Sequence, residues 1–151
     1  MSRVVVFGAG LVTRPIVRYL LDQPDLQLVV ATRTVSKAKK MIDGHPQGIA
    51  KALDVSDMRG VEEEVKASDV VVSLLPYAYH VDVAKLCIKY KKHLVTTSYV
   101  GAPMMELDGA SKEAGVLLLN ECGLDPGIDH MSAMRIIHDV EKRGGKVMSF
   151  K

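Results

Sequence analysis

The fold is decided near the start of the chain, where residues 4–13 read VVVFGAGLVT. The apolar run Val4–Phe7 predicts a strand covered on both faces, and two glycines, Gly8 and Gly10, follow it closely. Gly8 would allow a tight turn, and Gly10 would let the backbone approach a pyrophosphate at the N-terminus of the next helix. This order of strand, glycine loop and helix predicts a dinucleotide-binding loop. A glycine turn without a ligand is the open alternative, because the glycine pattern alone is weak.

Short apolar runs alternate with amphipathic segments along the rest of the chain. The runs that predict strands are Val4–Phe7, Leu26–Thr32, Ile49–Val55, Val70–Leu75, Leu94–Thr97, Val116–Leu119 and Val147–Phe150. Between them, apolar residues recur at helical spacing, as at Val12, Ile16 and Leu20. Such alternation predicts parallel βαβ units in an α/β fold with a Rossmann-type, doubly wound, mostly parallel sheet. We expect this domain to span residues 1–125, with a connecting helix and a first strand of a further domain over 126–151.

Composition excludes several classes of protein. Twenty Lys and Arg against 18 Asp and Glu give a net charge of +2, which argues against a nucleic-acid or membrane partner. Cys87 and Cys122 lie far apart, so we expect two buried thiols in a reducing compartment. The sequence shows no targeting signal, so we expect a cytoplasmic location. No metal site is expected, because the histidines show no ligand spacing. Asp129 and His130 would also point about 100° apart on a helix.

The end of the second strand indicates which dinucleotide is bound. An NAD site usually has Asp or Glu about 20 residues after the glycines. Here residues 29–34 read VVATRT, and no carboxylate occurs from Leu26 to Ile42. Arg33 offers a fork of donors to a 2′-phosphate, and Thr34 and Lys37 add a hydroxyl and a second charge. The sequence therefore predicts NADP, although Arg33 could instead be a solvated surface residue.

Ligands of open α/β sheets bind outside the carboxyl ends of the strands, and polar residues follow several of the predicted strands. Asp54 and Val55 could contact the adenosine, or Asp54 could be an ordinary helix N-cap. Asp125 and Pro126, in the unusual segment Gly123–His130, could likewise be the N-cap and first residue of a helix.

Four segments together resemble the saccharopine dehydrogenase family, in particular its NADP-dependent, L-glutamate-forming branch. They are Gly8–Pro15 (GAGLVTRP), Ser73–Tyr77 (SLLPY), Thr96–Val100 (TTSYV) and Gly123–His130 (GLDPGIDH). The last three are far more specific than the glycine loop. The resemblance implies an oxidoreductase of lysine metabolism that uses NADPH to reduce the imine of 2-aminoadipate 6-semialdehyde and L-glutamate, forming saccharopine.

The resemblance also implies roles for individual residues. Those implied to bind the cofactor are Gly8, Gly10, Leu11, Val12, Thr13, Thr32, Arg33, Thr34, Asp54, Val55, Leu75, Thr97, Ser98, Leu124, Asp125 and Pro126. Ser98, Tyr99 and Asp125 would contribute to saccharopine binding. Asp125 and Tyr99 are candidates for proton transfer or imine orientation, although both could serve substrate binding alone.

Members of this family are considerably longer than this chain, with a second domain that shapes the substrate pocket and dimer contacts. We therefore expect a cofactor domain that binds NADPH without measurable turnover and forms a homodimer only through such a further domain. Two alternatives stay open. One is another oxidoreductase of the superfamily, such as a carboxynorspermidine dehydrogenase or a lysine-forming enzyme. The other is a free-standing module that senses dinucleotides.

Overall fold

The computed structural model of the protein describes residues 1–150, which form a six-stranded sheet with flanking helices. The strands are β1 (Ser2–Phe7), β2 (Leu26–Thr32), β3 (Gly48–Ala52), β4 (Val70–Ser73), β5 (His93–Thr96) and β6 (Leu118–Leu119). The helices are α1 (Thr13–Leu21), α2 (Val35–Ile42), α3 (Met58–Ala67), α4 (His80–Tyr90), α5 (Ala102–Met105), α6 (Asp108–Ala114) and α7 (Ile128–Lys142). Within residues 1–150, none of the helices has the length and apolar character that a membrane span needs.

The strand order is β3-β2-β1-β4-β5-β6, and all neighbouring strands are parallel. The chain leaves β1 toward β2 on one side and returns after β3 to form β4 on the other side. The loops after β1 and β4 therefore diverge and open a crevice at the carboxyl end of the sheet. This topology confirms the predicted Rossmann-type fold and places the glycine loop at the crevice.

Strand β1 explains why its sequence is apolar without alternation. Val5 and Phe7 pack into a core with residues of α3 and α4, whereas Val4 and Val6 pack into a second core with residues of α1 and α2. Successive side chains of a strand point to opposite faces, so a strand with helices on both sides needs apolar residues at every position. The sheet is therefore doubly wound, as predicted.

Helix α1 buries a face one position away from the predicted apolar stripe. Thr13, Val17 and Leu21 are its buried residues, whereas Val12, where the predicted stripe began, is 55% exposed. Val12 is the N-cap of the helix and still belongs to the glycine loop. The loop sets the rotation of the helix against the sheet, and helical spacing alone cannot determine that rotation.

The seventh strand predicted at Val147–Phe150 is not formed. After α7 the residues described up to position 150 contain no strand, and Met148 and Phe150 are 84% and 72% exposed. A strand needs a neighbour for its backbone hydrogen bonds, and no strand of the described chain lies beside this segment. The predicted helix is present as α7 and begins at Ile128 rather than Pro126.

The two cysteines differ in their surroundings. Cys87 of α4 is fully buried in one core, and burial raises the pKa of its thiol to about 12. Cys122 follows β6 and is only half-buried. The prediction of buried thiols is therefore confirmed for Cys87 and wrong for Cys122, because the segment after β6 lies at the surface of the sheet edge. Both thiols are free.

One charged cluster lies inside the fold, around Glu64 of α3, whose exposed fraction is 3%. Arg3 of β1 donates to its carboxylate at 2.8 Å and to Ser68 Oγ at 2.9 Å, and Lys51 of β3 pairs with the same carboxylate. Burial by itself would raise the pKa of Glu64, but the hydrogen bonds and charges of Lys51 and Arg3 outweigh it, so that the pKa is lowered. The cluster therefore joins two strands and a helix.

Candidate cofactor and substrate clefts

A cleft of about 340 Å³ opens where the loops after β1 and β4 diverge, and we refer to it as the glycine-loop cleft. It is lined by Gly8, Ala9, Gly10, Ala31, Thr32, Arg33, Thr34, Lys37, Leu53, Asp54, Val55, Leu74, Leu75, Pro76 and Tyr79. The structure thus brings together residues from four βα units that the sequence predicted to bind the cofactor.

The two glycines of the loop have different roles. Gly8 has φ +104°, and a Cβ there would lie 2.9 Å from the carbonyl oxygen of Leu74, so both conformation and packing require glycine. By contrast, no heavy atom of the described chain lies within 4 Å of a Cβ built on Gly10. The backbone at Gly10 therefore faces open space in front of the N-terminus of α1, an arrangement that fits a pyrophosphate.

We expect Gly10→Ala to weaken NADPH binding about tenfold, because the added methyl group occupies the space through which a phosphate approaches the backbone. The melting temperature should stay close to that of the unmodified chain, since the methyl group meets no protein atom. Gly109→Ala is the matched control, because a Cβ at Gly109 also meets no described atom within 4 Å but lies on α6, outside the cleft. Equal NADPH affinities of the two variants would contradict this role of Gly10.

The other residues of the loop do not line the cleft. Thr13 is fully buried, and its hydroxyl oxygen accepts a hydrogen bond from the Gly10 amide at 3.0 Å. The Thr13 hydroxyl oxygen therefore supports the conformation of the loop by accepting from the Gly10 amide. Leu11 is completely exposed and Val12 half-exposed, so a ligand could contact them only at the rim.

Basic and hydroxyl side chains lie at one end of the cleft. Thr32, Arg33 and Thr34 line it together with Lys37 of α2, and among residues 1–150 Arg33 forms no ion pair. The guanidinium of Arg33 is therefore available to an anion. Together with the missing carboxylate after β2, this end of the cleft fits a 2′-phosphate.

Asp54 lies at the mouth of this cleft and is not the N-cap of α3. That cap is Asp57, whose carboxylate accepts from the amide of Arg59 at 3.2 Å. Ser56 donates its amide and hydroxyl to Asp54 Oδ1 at 3.0 Å and 2.8 Å. These hydrogen bonds, and more weakly the charge of Arg33, lower the pKa of Asp54. Of the two alternatives from the sequence, the structure is consistent with the ligand-facing one.

A second cleft of about 390 Å³, which we name the Tyr99 cleft, lies beside the first. It is lined by Tyr77, Thr97, Ser98, Tyr99, Val100, Gly101, Asp125 and Pro126. Because Pro76 lines the glycine-loop cleft and the next residue, Tyr77, lines this one, the two clefts are adjacent. A dinucleotide in the first cleft could therefore present one end to a molecule in the second.

Tyr99 and Asp125 meet across the second cleft. The Tyr99 hydroxyl donates to Asp125 Oδ1 at 2.6 Å, although the two residues are far apart in the chain. This hydrogen bond, with smaller contributions from burial and nearby carboxylates, raises the pKa of Tyr99. The pair therefore combines a phenol that holds its proton more tightly than usual with a carboxyl oxygen that accepts the hydrogen bond. Such a pair can hold or transfer a proton at a polar ligand.

The backbone before α7 differs from the predicted helix cap. The N-cap is Gly127 with φ +147°, and Asp125 and Pro126 precede it in a closed turn. The amide of Gly123 donates to the carbonyl of Pro126 at 2.8 Å, and the amide of Ile128 donates back to Gly123 at 3.0 Å. The turn explains the two glycines of the segment and directs Asp125 into the cleft rather than to a helix end. Leu124 is exposed and lines neither cleft.

Asp125, Asp129 and His130 approach one another at the rim, with potential ligand atoms within 4.8 Å. The expectation that Asp129 and His130 point apart is wrong, because His130 Nδ1 lies 2.8 Å from Asp129 Oδ1. Both side chains are in the exposed first turn of α7 and are free to bend together. Burial opposes ionisation of Asp129, but His130 and the Gly127 amide lower its pKa. Exposed acidic groups are common without a metal, so the cluster by itself is not evidence for a metal site.

Several residues that line the clefts, among them Tyr77 and Tyr79, are not among the predicted binding and catalytic residues. Tyr77 and Tyr79 both belong to the single 3-10 turn after β4, and each lines one of the clefts. The signal in the sequence was Pro76, which ends the strand and is followed by two aromatic residues within three positions. That signal indicates a turn but not which cleft each ring faces.

The sequence was compared with known protein families and with curated proteins. Residues 4–119 match the family model described as saccharopine dehydrogenase NADP binding domain. A saccharopine dehydrogenase (NADP(+), L-glutamate-forming) of Schizosaccharomyces pombe is 45% identical over 150 residues, 99% of this chain and 33% of the relative. An alpha-aminoadipic semialdehyde synthase of Arabidopsis thaliana is 40% identical over 169 aligned residues, 99% of this chain and 16% of the relative.

A solved structure is similar over the same range. Apo histidine-tagged saccharopine dehydrogenase (L-Glu forming) from Saccharomyces cerevisiae superposes with a TM-score of 0.80 at 37% identity, covering 99% of this chain and 33% of that one. The chain therefore spans about a third of the length of these fungal relatives. Fold and sequence therefore agree with these relatives over nearly the whole chain.

Proposed function

The chain belongs to the saccharopine dehydrogenase NADP-binding domain family, and from this premise we propose that it is the cofactor domain of a saccharopine reductase. Its cofactor is NADP, and its enzyme class is oxidoreductase. The proposed reaction reduces the imine of 2-aminoadipate 6-semialdehyde and L-glutamate to saccharopine, in lysine metabolism, and the reverse oxidation uses NADP⁺. Saccharopine, L-glutamate and the semialdehyde are accordingly the proposed small-molecule partners.

The observation that carries this proposal is the position of the Tyr99–Asp125 pair next to the glycine-loop cleft. Ser98 lines the same Tyr99 cleft, so the three residues implied to bind saccharopine face one space. Arg33 lies in the other cleft, where a 2′-phosphate would be held. This arrangement supports a cofactor whose reactive end reaches the substrate cleft.

Each group in the clefts has a distinct part in the proposed chemistry. The bound nicotinamide cofactor supplies hydride. Imine formation and its hydrolysis both require proton transfer, and an imine accepts hydride better when its nitrogen is protonated. In our proposal Asp125 accepts or orients the proton at the imine nitrogen. The Tyr99 hydroxyl donates a hydrogen bond to Asp125 Oδ1 at 2.6 Å and so fixes the position of the carboxylate. Ser98 lies next to Tyr99 in the loop after β5 and contacts the substrate from that loop, across the cleft from Asp125.

We expect the 151-residue chain to bind NADPH more tightly than NADH and to show no measurable turnover with saccharopine and NADP⁺. Titration followed by the fluorescence of the nicotinamide measures both affinities. Failure to bind either nucleotide, or equal affinity for both, would contradict the proposed cofactor site. Turnover by this chain would instead contradict its assignment as a cofactor domain.

In the whole enzyme we expect Asp125→Asn to lower kcat about a hundredfold while changing KM little, because general acid–base catalysis contributes 10²–10⁴-fold. Steady-state kinetics with saccharopine and NADP⁺ measure both constants. Asp129→Asn is the matched control, since Asp129 is also an exposed acid but pairs with His130 instead. A raised KM with unchanged kcat would assign Asp125 to substrate binding alone.

We also propose that residues 126–151 connect this domain, residues 1–125, to a further one. Helix α7 supports this proposal because none of its residues is buried within residues 1–150, and it exposes Met131, Met134 and Ile136.

A cytoplasmic location is proposed as well, and the two free thiols support it, because free cysteines persist in reducing compartments.

A further inference from the structure

A buried imidazole connects the core to the Tyr99 cleft. His80, the first residue of α4, is 2% exposed, and each of its ring nitrogens lies 2.9 Å from a serine hydroxyl. Nδ1 faces Ser73 Oγ at the end of β4, and Nε2 faces Ser98 Oγ at the cleft. The ring of Tyr77 stands perpendicular to it at a centroid distance of 6.5 Å.

The two serines differ in what else they can contact. Ser73 is fully buried, and within residues 1–150 its hydroxyl has no hydrogen-bond partner besides His80. A buried hydroxyl proton without an acceptor is costly, so Ser73 must donate to Nδ1. Burial lowers the pKa of His80, and a neutral imidazole carries one proton. That proton is then on Nε2 and is donated to Ser98.

The backbone of the Ser98 loop is held separately. The amide of Glu121 donates to the carbonyl of Ser98 at 3.1 Å, and the Glu121 carboxylate accepts from the amide of Val100 at 3.1 Å. The loop is therefore anchored without His80. His80 therefore determines only the direction of the Ser98 hydroxyl. The hydroxyl oxygen accepts a hydrogen bond from Nε2, and the hydroxyl proton remains available to donate to another group.

We propose that His80 is a positioning residue, which orients the Ser98 hydroxyl as a hydrogen-bond donor toward a carboxylate of the substrate in the Tyr99 cleft. The proposal rests on the proposed function, because it takes saccharopine, a compound with carboxylate groups, as the ligand. His80 does not contact the ligand, and it does not conduct a proton onward, since the chain Ser98–His80–Ser73 ends at a hydroxyl buried in the core.

The state of the ring tests the first half of the proposal without any ligand. In the 151-residue chain labelled with ¹⁵N-histidine, we expect the His80 ring to give the Nε2–H tautomer near pH 7, with signals assigned by their loss in His80→Gln. Ser98→Ala should shift the Nε2 signal and leave Nδ1 nearly unchanged. An Nδ1–H tautomer, a charged ring, or averaged nitrogen signals would overturn the proposed orientation.

A double-mutant cycle tests the second half. In the whole enzyme saturated with NADPH, which cannot oxidise saccharopine, we expect His80→Leu and Ser98→Ala each to weaken saccharopine binding about tenfold, and the double variant also about tenfold rather than a hundredfold. His80→Gln should recover part of the loss, because its amide can donate toward Ser98, and it provides the comparison if His80→Leu fails to fold. Additive losses, or no loss in any His80 variant, would overturn the proposal.

The two experiments distinguish failure of the inference from failure of the proposed function. An unmodified whole enzyme that binds NADPH but not saccharopine would contradict the proposed substrate. The tautomer measurement would still decide whether His80 directs the Ser98 hydroxyl. The wrong tautomer, together with saccharopine binding by the whole enzyme, would overturn the inference alone.

Discussion

Replacing Arg33 by alanine is expected to weaken NADPH binding about tenfold to a hundredfold and to change NADH binding little. Hydrogen bonds to charged groups contribute about 1.5–3 kcal/mol, and only NADPH carries the 2′-phosphate that Arg33 would contact. Within the described chain the guanidinium has no ion pair to give up, so its whole contribution is available to the ligand. Fluorescence titration of both nucleotides measures the two affinities.

Two further variants make this experiment specific. Arg59→Ala removes an exposed arginine of α3 outside both clefts and should leave both affinities unchanged. Arg33→Lys retains the charge but loses the planar fork of donors, and it should lie between Arg33→Ala and the unmodified chain. An equal loss for NADPH and NADH in Arg33→Ala would show that Arg33 supports the cleft rather than the 2′-phosphate.

Glu64→Ala is expected to lower the free energy of unfolding by about 2–3 kcal/mol. Breaking a buried ion pair from one side costs about 3–5 kcal/mol, and the cost is smaller here because the side chains of Arg3 and Lys51 remain 23% and 42% exposed. Urea denaturation near pH 7 measures the difference. Glu63→Ala is the matched control, since the neighbouring Glu63 is exposed and should change stability by less than about 0.5 kcal/mol.

The same pair of variants has an expected pH dependence. The pKa of Glu64 is lowered in the folded protein from an ordinary value of 4.5, so its contribution is fully present above that value. It is lost as the pH falls through the lowered folded pKa, because the carboxylate is then protonated in both states. We therefore expect the stability difference between the unmodified chain and Glu64→Ala to shrink on acidification. A difference that grows in acid would contradict the ionised triad.

The order of elements and the glycine loop could be predicted from the sequence because they depend on neighbouring residues. Val4–Phe7 predicted a buried strand, and the glycines after it predicted the turn. Several predicted strands extended past their true ends, as at Val55 and Leu75, because those apolar residues line the glycine-loop cleft instead of the sheet. Apolar character indicates burial, and it does not distinguish a strand from the wall of a cleft.

The candidate site was predictable only in part. Arg33 follows from the missing carboxylate after β2. For Asp54 the sequence allows two alternatives, and only the structure shows that Asp57 is the residue that caps α3. Tyr99 and Asp125 came from the resemblance of whole segments, and the hydrogen bond between them did not. The hydrogen bonds of His80 to its two serine partners could not be predicted, since nothing in the local sequence records them.

The sequence by itself determined the parallel α/β fold, the dinucleotide loop and the preference for NADP over NAD. The fold depends on the periodicity of apolar residues, the loop on the conformation of its glycines, and the cofactor preference on the sign of the charge after β2. Only the tertiary structure decided which distant side chains meet: Glu64 with Arg3 and Lys51, His80 with Ser73 and Ser98, Tyr99 with Asp125. The physical reason is that parallel strands bring loops from separate βα units to one edge of the sheet. Side chains there contact partners that lie in other units of the chain.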